Sequence, residues 1–392
     1  IHSGTYRRKA AQTLIQDLTV LQMHGEVNRE VRGVTYHSGQ ASEGSVFVAI
    51  KGTQSDGHEF VQQAIQRGSH TVVVEKPLDP IPGVTIIEVA NTRAALAQIS
   101  NRFFGFPSHE LAVVGITGTN GKTTTAYLLE SILQASGHRV GVIGTVNIRY
   151  PGHVLPAPVT TPESLDLQRT LRQMVDEGVS HLVMEVSSHG LDMHRVDGTR
   201  FTVGLFTNLS QDHLDYHGSM ESYFAAKSRL FSQILQAQGE TTPLAVINCD
   251  DVWGKRLCRQ IDTPLLCYGF SADADIQAQE AKCDSAGIQA LLSTPKGELE
   301  VRSSMLGRLN LYNLLAAAAV AVGLDLPLNL ISSGEKSLSR VPGRLEPITN
   351  DLGFQVLVDY AHTPDALQKA LDSLRELTSQ KIICVFGCGG DR

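Results

Sequence analysis

The stretch GITGTNGKTT, residues 115–124, decides the fold expected for this chain. It follows the apolar run LAVV and precedes AYLLESIL, which has the pattern of a helix. A glycine-rich turn between a strand and a helix is typical of phosphate binding, and this context argues against a chance turn. Because Ile116 stands where the Walker pattern has glycine, five positions before Gly121, the full pattern is absent. Lys122 still offers charge to phosphates and Thr123 a hydroxyl to magnesium.

Apolar runs alternate with helical patterns from residue 111 onward. We expect strands in LAVVGIT, RVGVIGT, HLVMEVSS, FTVGLFTNLS and LAVIN, with a helix near 310–322 closing the unit. Continuous apolar strands separated by helices predict an α/β fold with a doubly wound, mostly parallel sheet. The alternation begins again with FQVLVDY, a helix near 364–376 and KIICVFGCGG. We therefore expect three domains, at residues 1–108, 109–341 and 342–392.

Composition limits the function. The 392 residues include 33 basic and 40 acidic side chains, a formal charge of -7, so we expect neither nucleic acid nor membrane as a partner. No apolar run approaches the roughly 20 residues that span a bilayer. The six cysteines have no CxxC spacing and predict free thiols in a reducing cytoplasm. The chain also lacks an initiator Met, which we take as the sign of a processed chain or a fragment.

Polar residues follow two of the predicted strands. Glu185 is an acid in the apolar strand LVMEVSS. It either faces a cation at the strand's carboxyl end or is a salt-bridged structural acid. The segment FTNLSQDHLDYHG collects Asn208, Asp212, His213, Asp215 and His217. Its oxygen ligands with one imidazole suit magnesium, for which His213 is the better candidate, while His217 is expected to pack or to start a helix.

Lys227 occupies a gap in the apolar stripe of SMESYFAAKSRLFSQIL. It either extends its amine to solvent, which is the commoner behaviour of lysine, or is buried. Burial would lower its pKa, and the neutral amine could then add carbon dioxide to become a carbamate.

Three further segments place polar groups where ligands bind. In PVTTPESLDLQ, Thr161 is the predicted helix cap, with Pro162 in the first turn, and the segment is either an anion site or an ordinary capped helix. Asp359 and His362 follow the strand in VLVDYAHTPDAL, and Arg392 ends the glycine-rich ICVFGCGGDR. These groups could meet a ligand bound between domains.

The ordered motifs TGTNGKTT, MEVSSHGL, TNLSQDHLDYHG, YFAAK, GRLNLYN, VPGRLE, DYAHTPDAL and FGCGGDR closely resemble the Mur ligase family. The resemblance covers residues from about 30 to 392 and implies a three-domain architecture with a central P-loop domain and an incomplete Rossmann-like C-terminal domain. SSHGL and YAHTPDAL favour the members that add the third amino acid of the peptidoglycan stem. The implied activity is ATP-dependent addition of meso-diaminopimelate or L-lysine to UDP-N-acetylmuramoyl-L-alanyl-D-glutamate through an acyl phosphate, by a cytoplasmic monomer.

The resemblance also assigns residues to each ligand. ATP binding is assigned to Gly118, Thr119, Asn120, Gly121, Lys122, Thr123 and Thr124, with Arg392 from the third domain. Magnesium binding is assigned to Thr123, Glu185, His213 and Lys227, the last as a carbamate made from carbon dioxide. The uridine nucleotide is assigned to Tyr36, Ser38, Thr53, Gln54 and Ser55, and the muramoyl dipeptide to Thr160, Thr161, Ser187 and Arg195. The catalytic residues are Lys122, Lys227 and His213.

The chain departs from the family in places. Val159 and Met193 stand where some members carry Asn and Gln, which puts details of the dipeptide site in doubt. The family's amino-acid-selecting segment lies beyond GGDR, so we expect a C-terminally truncated chain that ligates poorly. Two alternatives remain: a non-catalytic Mur-like scaffold, or another amide ligase such as folylpolyglutamate or cyanophycin synthetase. The segment HSGQASEGSVFVAIKGTQSDGHEF favours a UDP-sugar substrate over the latter.

Overall fold

The computed structural model describes residues 9–52, 55–236 and 242–387. The chain divides into two compact units. The first unit comprises residues 1–111, 161–178 and 189–200, and the second comprises residues 112–160, 179–188 and 201–392.

The elements before residue 112 all belong to the first unit. They are β1 (Lys9–Ala10), α1 (Ala11–Leu14), β2 (Val20–His24), β3 (Glu30–Val31), β4 (Gly33–Thr35), β5 (Ser45–Val48), α2 (Val61–Gln66), β6 (Thr71–Val74), β7 (Thr85–Val89) and α3 (Thr92–Phe103). Five strands form a sheet in the order β2-β7-β6-β5-β4, in which only β2 runs antiparallel to its neighbour. Helix α3 is capped by Asn91, whose side chain accepts from the amides of Arg93 and Ala94.

The elements between residues 112 and 236 include β8 and α4, which flank the glycine-rich turn. They are β8 (Ala112–Thr117), α4 (Lys122–Ala135), β9 (Val140–Ile143), β10 (Asn147–Tyr150), β11 (His153–Pro156), α5 (Ser164–Asp176), β12 (His181–Glu185), α6 (Ser188–Asp192), β13 (Val203–Phe206), α7 (Leu214–His217) and α8 (Met220–Arg229). A π-helical turn, Leu230–Ile234, continues α8.

The elements from residue 242 onward complete the second unit. They are β14 (Leu244–Asn248), α9 (Val252–Cys258), β15 (Leu265–Gly269), β16 (Ile276–Asp284), β17 (Gly287–Thr294), β18 (Gly297–Ser303), α10 (Arg308–Gly323), α11 (Leu328–Ser337), β19 (Glu346–Ile348), β20 (Val356–Val358) and α12 (Pro364–Leu377).

The described strands of the second unit form one large sheet and a small one. The large sheet has eleven strands in the order β11-β10-β9-β12-β8-β13-β14-β15-β16-β17-β18. Neighbouring strands from β9 through β16 are parallel, and the strands at both ends are antiparallel. The predicted α/β fold with a mostly parallel sheet is therefore confirmed. Because the carboxyl ends of parallel strands meet at one edge, the residues that follow β8, β12, β13 and β14 gather there.

The core of the second unit lies between this sheet and its helices. Strand residues such as Val114 and Val183 pack in one buried cluster with Leu128 of α4 and Leu314 of α10. Helix α10 is buried along nearly its whole length, which explains its Ala-rich sequence, since small side chains let it lie close to the sheet. No helix in the described part of the chain is both long and apolar enough to cross a membrane.

Two sequence predictions about elements are wrong. Helix α5 is capped by Glu163 rather than Thr161, because the Glu163 side chain accepts from the Ser164 amide and the chain is still extended there. The run KIICVFG forms no strand within residues 381–387. A strand is stable only beside a hydrogen-bonding partner, and the small sheet of this region pairs only β19 with β20 among the described residues.

Candidate active site

The glycine-rich turn is held tightly against strand β13. Gly118 has φ +142°, and a Cβ placed there would lie 1.9 Å from Thr207 Oγ1. Gly121 has φ +89°, and its Cβ would lie 2.4 Å from Asn313 Oδ1. Both glycines are therefore required by space as well as by backbone conformation. The Asn120 amide donates to Asn208 Oδ1 at 3.0 Å. This hydrogen bond ties the turn to the segment that follows β13.

Two lysine side chains converge on one carbonyl of this turn. Lys122 Nζ donates to the carbonyls of Gly118 and Thr119, both at 2.8 Å. Lys227 Nζ donates to the same Gly118 carbonyl at 2.9 Å. Since Lys227 is only 1% exposed, its predicted inward orientation is confirmed and the alternative of a solvent-directed amine is wrong.

Burial changes the proton affinity of both amines. It lowers the pKa of Lys122, an effect that the negative charge of Glu185 opposes. It lowers the pKa of Lys227 well below the usual value for lysine, and the charge of Lys122 lowers that pKa further. The Lys227 ammonium also lies 4.6 Å from the centre of the Tyr223 ring, a cation–π distance. A neutral amine is the nucleophilic form, so Lys227 is chemically suited to addition reactions.

Glu185 lies beside the start of α4. It is 1% exposed, and its Oε2 accepts from the hydroxyls of Thr123 and Thr145, at 3.1 and 3.0 Å. The Thr145 amide donates to its other oxygen at 3.0 Å. Hydroxyl and amide groups therefore hold this carboxylate at the start of α4.

His213 begins the short helix α7 at the same edge of the sheet. It has φ +50°, in the left-handed region, and its Nε2 lies 3.5 Å from Asp212 Oδ2. Burial lowers the pKa of His213, although Asp212 opposes this effect. His217 ends α7 instead of starting a helix, and its ring packs 5.1 Å from that of Tyr223, so only the packing part of that prediction is confirmed.

These groups face one cavity of about 490 Å³ in the second unit. Residues 119–124 line it together with Glu185, His213 and Lys227. Asp359 and His362 also line it, which places them where the sequence predicted a ligand contact. Such a cavity, with the Lys122 side chain and a helix N-terminus at one wall, has the size and charge for a polyphosphate ligand.

Sequence analysis assigned no role to two residues that complete this wall. Arg344, in VPGRLE, donates to Thr123 Oγ1 at 3.1 Å, and Asn313, in GRLNLYN, fills the space that Gly121 leaves. Both line the cavity. Their motifs were visible in the sequence, but nothing local shows that they meet a turn about 190 to 220 residues earlier.

The predicted substrate residues fall in both units. In the first unit, Tyr36 donates to Asp166 Oδ2 and Ser38 to Gln63 Oε1, each at 2.6 Å, while Ser55 is exposed. In the second unit, Thr160 and Ser187 line the cavity. Thr53, Gln54 and Arg392 lie outside the described residues.

Thr161 and Arg195 meet in the first unit. Arg195 donates through its guanidinium to the Thr161 carbonyl at 3.0 Å. Glu163 lies 3.6 Å from the Arg195 Nε and accepts from Arg93 at 2.7 Å. The segment at Thr161, which was predicted to cap a helix, is thus an ordered turn held by Arg93 and Arg195.

Comparison with known proteins agrees with this geometry. Three family models match: "Mur ligase family, catalytic domain" over residues 30–104, "Mur ligase middle domain" over 116–321 and "Mur ligase, glutamate ligase domain" over 343–392. The chain belongs to the Mur ligase family. Its curated relatives include a Geobacter sulfurreducens protein named UDP-N-acetylmuramoyl-L-alanyl-D-glutamate--2,6-diaminopimelate ligase, which is 47% identical over 95% of this chain and 73% of the relative.

Other Mur ligases extend the comparison. A Geobacillus thermodenitrificans protein of the same name is 41% identical over 97% of this chain and 78% of the relative. A solved structure with that name superposes with a TM-score of 0.81 at 28% identity, covering 98% of this chain and 78% of that one. The predicted three-domain Mur ligase architecture and the predicted class of enzyme, an ATP-dependent amide ligase, are therefore confirmed.

Proposed function

We propose that this Mur ligase joins 2,6-diaminopimelate to UDP-N-acetylmuramoyl-L-alanyl-D-glutamate, with hydrolysis of ATP to ADP and phosphate. The observation that carries the proposal is the meeting of Lys122 and Lys227 on the Gly118 carbonyl, beside the contact between Thr123 and Glu185. The name shared by the most similar curated relatives supports diaminopimelate over L-lysine.

ATP is proposed to bind with its phosphates at the start of α4. The first amides of an α-helix have no acceptor within the helix, so they can donate to phosphate oxygens there. Lys122 adds positive charge, and its contacts with two loop carbonyls already place its Nζ beside the turn. We therefore assign residues 118–124 to ATP.

The residues present fit magnesium. A hydroxyl and a carboxylate lie in contact at Thr123 and Glu185, and magnesium prefers few carboxylates together with phosphate oxygens and water. Among the described residues, no group of three His, Cys, Asp or Glu side chains is placed to hold a metal ion. When bound, magnesium would reduce the repulsion between a carboxylate and the triphosphate.

The proposed reaction has two steps. An oxygen of a dipeptide carboxylate attacks the γ-phosphorus, the bond from that phosphorus to the bridging oxygen breaks, and ADP leaves. The amine nitrogen of the amino acid then attacks the carbonyl of the acyl phosphate, phosphate leaves with the electron pair of the C–O bond, and the nitrogen loses a proton. The contribution of Lys122 is to stabilise negative charge on the phosphates in the first step.

We further propose that Lys227 is carbamylated. Its amine is buried and its pKa is lowered, so it can attack carbon dioxide, forming an N–C bond and releasing a proton. The product is an anion in place of a buried cation. With His213, this carbamate is our candidate for holding a second magnesium ion.

Domain roles follow the same proposal. We assign the uridine nucleotide to Tyr36, Ser38 and Ser55 in residues 1–108, and ATP to residues 109–341. We assign residues 342–392 to the domain that binds the amino acid. Because ATP and nucleotide-linked sugars are made in the cytoplasm, we place the enzyme there. We also propose that it is a monomer.

Product masses test the proposal. The full-length protein is incubated with ATP, magnesium and UDP-N-acetylmuramoyl-L-alanyl-D-glutamate, together with meso-diaminopimelate, L-lysine or no amino acid. We expect the nucleotide-sugar to gain the mass of one diaminopimelate residue only in the first mixture, with release of ADP. Lys122→Ala should abolish this gain, whereas replacement of the exposed Lys282 by alanine should retain it.

Other outcomes would overturn parts of the proposal. A product formed only with L-lysine would support the ligase activity but show that L-lysine, rather than diaminopimelate, is the amino acid added. No product in any mixture, although the nucleotide-sugar binds, would favour a scaffold role.

A further inference from the structure

Three cysteines lie together on one strand–helix–strand segment of the second unit. Cys249 directly follows β14, Cys258 is the last residue of α9, and Cys267 lies in the middle of β15. Strands β14 and β15 are parallel neighbours, with Ile247 opposite Cys267. Helix α9 connects them, so its final residue returns to the sheet beside β15. The connectivity therefore brings together cysteines that no CxxC spacing reveals.

The closest of these thiols are those of Cys258 and Cys267. Their sulfur atoms lie 3.8 Å apart, and both cysteines are free in the structure. Both side chains are partly exposed, so small oxidants can reach them. A disulfide bond has a sulfur–sulfur distance of about 2.05 Å, so the two sulfur atoms must approach each other by about 1.8 Å for the bond to form.

The two thiols have different proton affinities. A hydrogen bond between the two thiols lowers the pKa of Cys258 and raises the pKa of Cys267. Cys249 is 8% exposed and its thiol donates to the Tyr268 carbonyl. Burial raises the pKa of Cys249 to about 11, so this third thiol remains protonated. Because the thiolate is the nucleophile, Cys258 is the residue that reacts first.

We propose that Cys258 and Cys267 are a redox-active dithiol that closes into an intramolecular disulfide when a peroxide oxidises the protein, and reopens with a thiol reductant. The Cys258 thiolate attacks one oxygen of hydrogen peroxide, forming an S–O bond and breaking the O–O bond, and the departing hydroxide takes up a proton to become water. The Cys267 sulfur then attacks the sulfur of this sulfenic acid, losing its proton. The S–S bond forms, the S–O bond breaks, and a second water leaves.

Peptide mapping of the full-length protein tests this site. After treatment with one equivalent of hydrogen peroxide, we expect the number of free thiols in the denatured protein to fall by two. A single disulfide peptide should contain Cys258 and Cys267, and dithiothreitol should restore both thiols. Nucleotide and substrate are not needed, so the result is independent of the proposed ligase activity.

Variants separate this pair from the other cysteines. Cys258→Ser and Cys267→Ser should each abolish the disulfide, whereas Cys283→Ser and the exposed Cys384→Ser should retain it. Trapping with dimedone should label Cys258 in the Cys267→Ser variant, where the resolving thiol is missing. A disulfide joining Cys249, an unchanged thiol count, or stable overoxidation of Cys258 in the unmodified protein would overturn the proposal.

Discussion

Replacing Glu335 with leucine should stabilise this Mur ligase. Glu335 lies in α11, which packs against α4 and β18, and it is fully buried. Neither carboxyl oxygen has a hydrogen-bond partner among the described residues. Burial is the only cause that raises its pKa well above the ordinary value of 4.5. The side chain is therefore protonated in the folded protein at pH values where it is ionised in the unfolded chain.

The sign of the pH effect follows from this difference. Since the folded protein holds the proton more tightly than the unfolded chain, the free energy of unfolding decreases as pH rises above about 4.5 and stops decreasing once pH passes the folded pKa. The slope in this window is about 1.4 kcal/mol per pH unit. Between pH 5.5 and 7.0, Glu335 should therefore lower stability further as pH rises, for as long as pH stays below the folded pKa. Its unpaired acid group costs roughly 1–3 kcal/mol more at every pH.

Replacing Glu335 with leucine removes both the loss of stability with rising pH and the cost of the unpaired acid group, with little change in side-chain volume. Urea unfolding of Glu335→Leu should give a gain of at least roughly 1–3 kcal/mol at pH 5.5, and a larger gain at pH 7.0. Glu335→Gln keeps a polar group but cannot ionise, so it should remove the extra pH dependence with little gain at pH 5.5. Lys336→Ala, at the exposed neighbouring position, should change neither the free energy of unfolding at pH 5.5 nor its pH dependence. A constant difference between Glu335→Leu and the unmodified protein across this pH range would refute the reasoning.

Three further substitutions test the roles of Lys122, Lys227 and Glu163. Lys122→Ala should weaken ATP binding at least tenfold in equilibrium titrations, since it removes a charge-assisted contact; unchanged affinity would contradict the loop assignment. Lys227→Ala should abolish ligation and leave nucleotide-sugar affinity intact, and bicarbonate should not restore activity; retained turnover would argue against the carbamate. Glu163→Gln should lower the free energy of unfolding by about 2 kcal/mol, because Arg93 and Arg195 lose a largely buried carboxylate. Equal urea midpoints would show that this ion pair contributes nothing.

Local patterns predicted the elements that carry the site. The turn of residues 118–121 lies between β8 and α4, as its flanking apolar and helical runs indicate. The apolar stripe of α8 also predicted which face carries Lys227. It did not predict the position of the amine, because burial depends on the acceptor at Gly118, which is 109 residues away in the chain.

Long-range contacts explain most of the errors and omissions. Thr161 was predicted as a cap because its sequence is ideal for one, but Glu163 is fixed by Arg93, which is 70 residues earlier. The antiparallel strands β16 to β18 were overlooked although signals were present: GELEVRS alternates between exposed and buried residues, and glycines at 287 and 297 end the connecting turns. Alternation over seven residues predicts a strand but not the sheet it joins.

The missing Walker glycine has a structural explanation. Ile116 is fully buried within β8, so the strand continues past the position where a Walker loop would already have turned. The turn is therefore short, running from Gly118 to Gly121, and a short turn supplies fewer hydrogen bonds of its own. The hydroxyl of Thr207, which follows β13, donates to the Asn120 carbonyl at 2.7 Å and provides support from the neighbouring strand. A larger residue at 118 would collide with that same hydroxyl. The hydrogen bond from Thr207 to Asn120 therefore requires glycine at position 118.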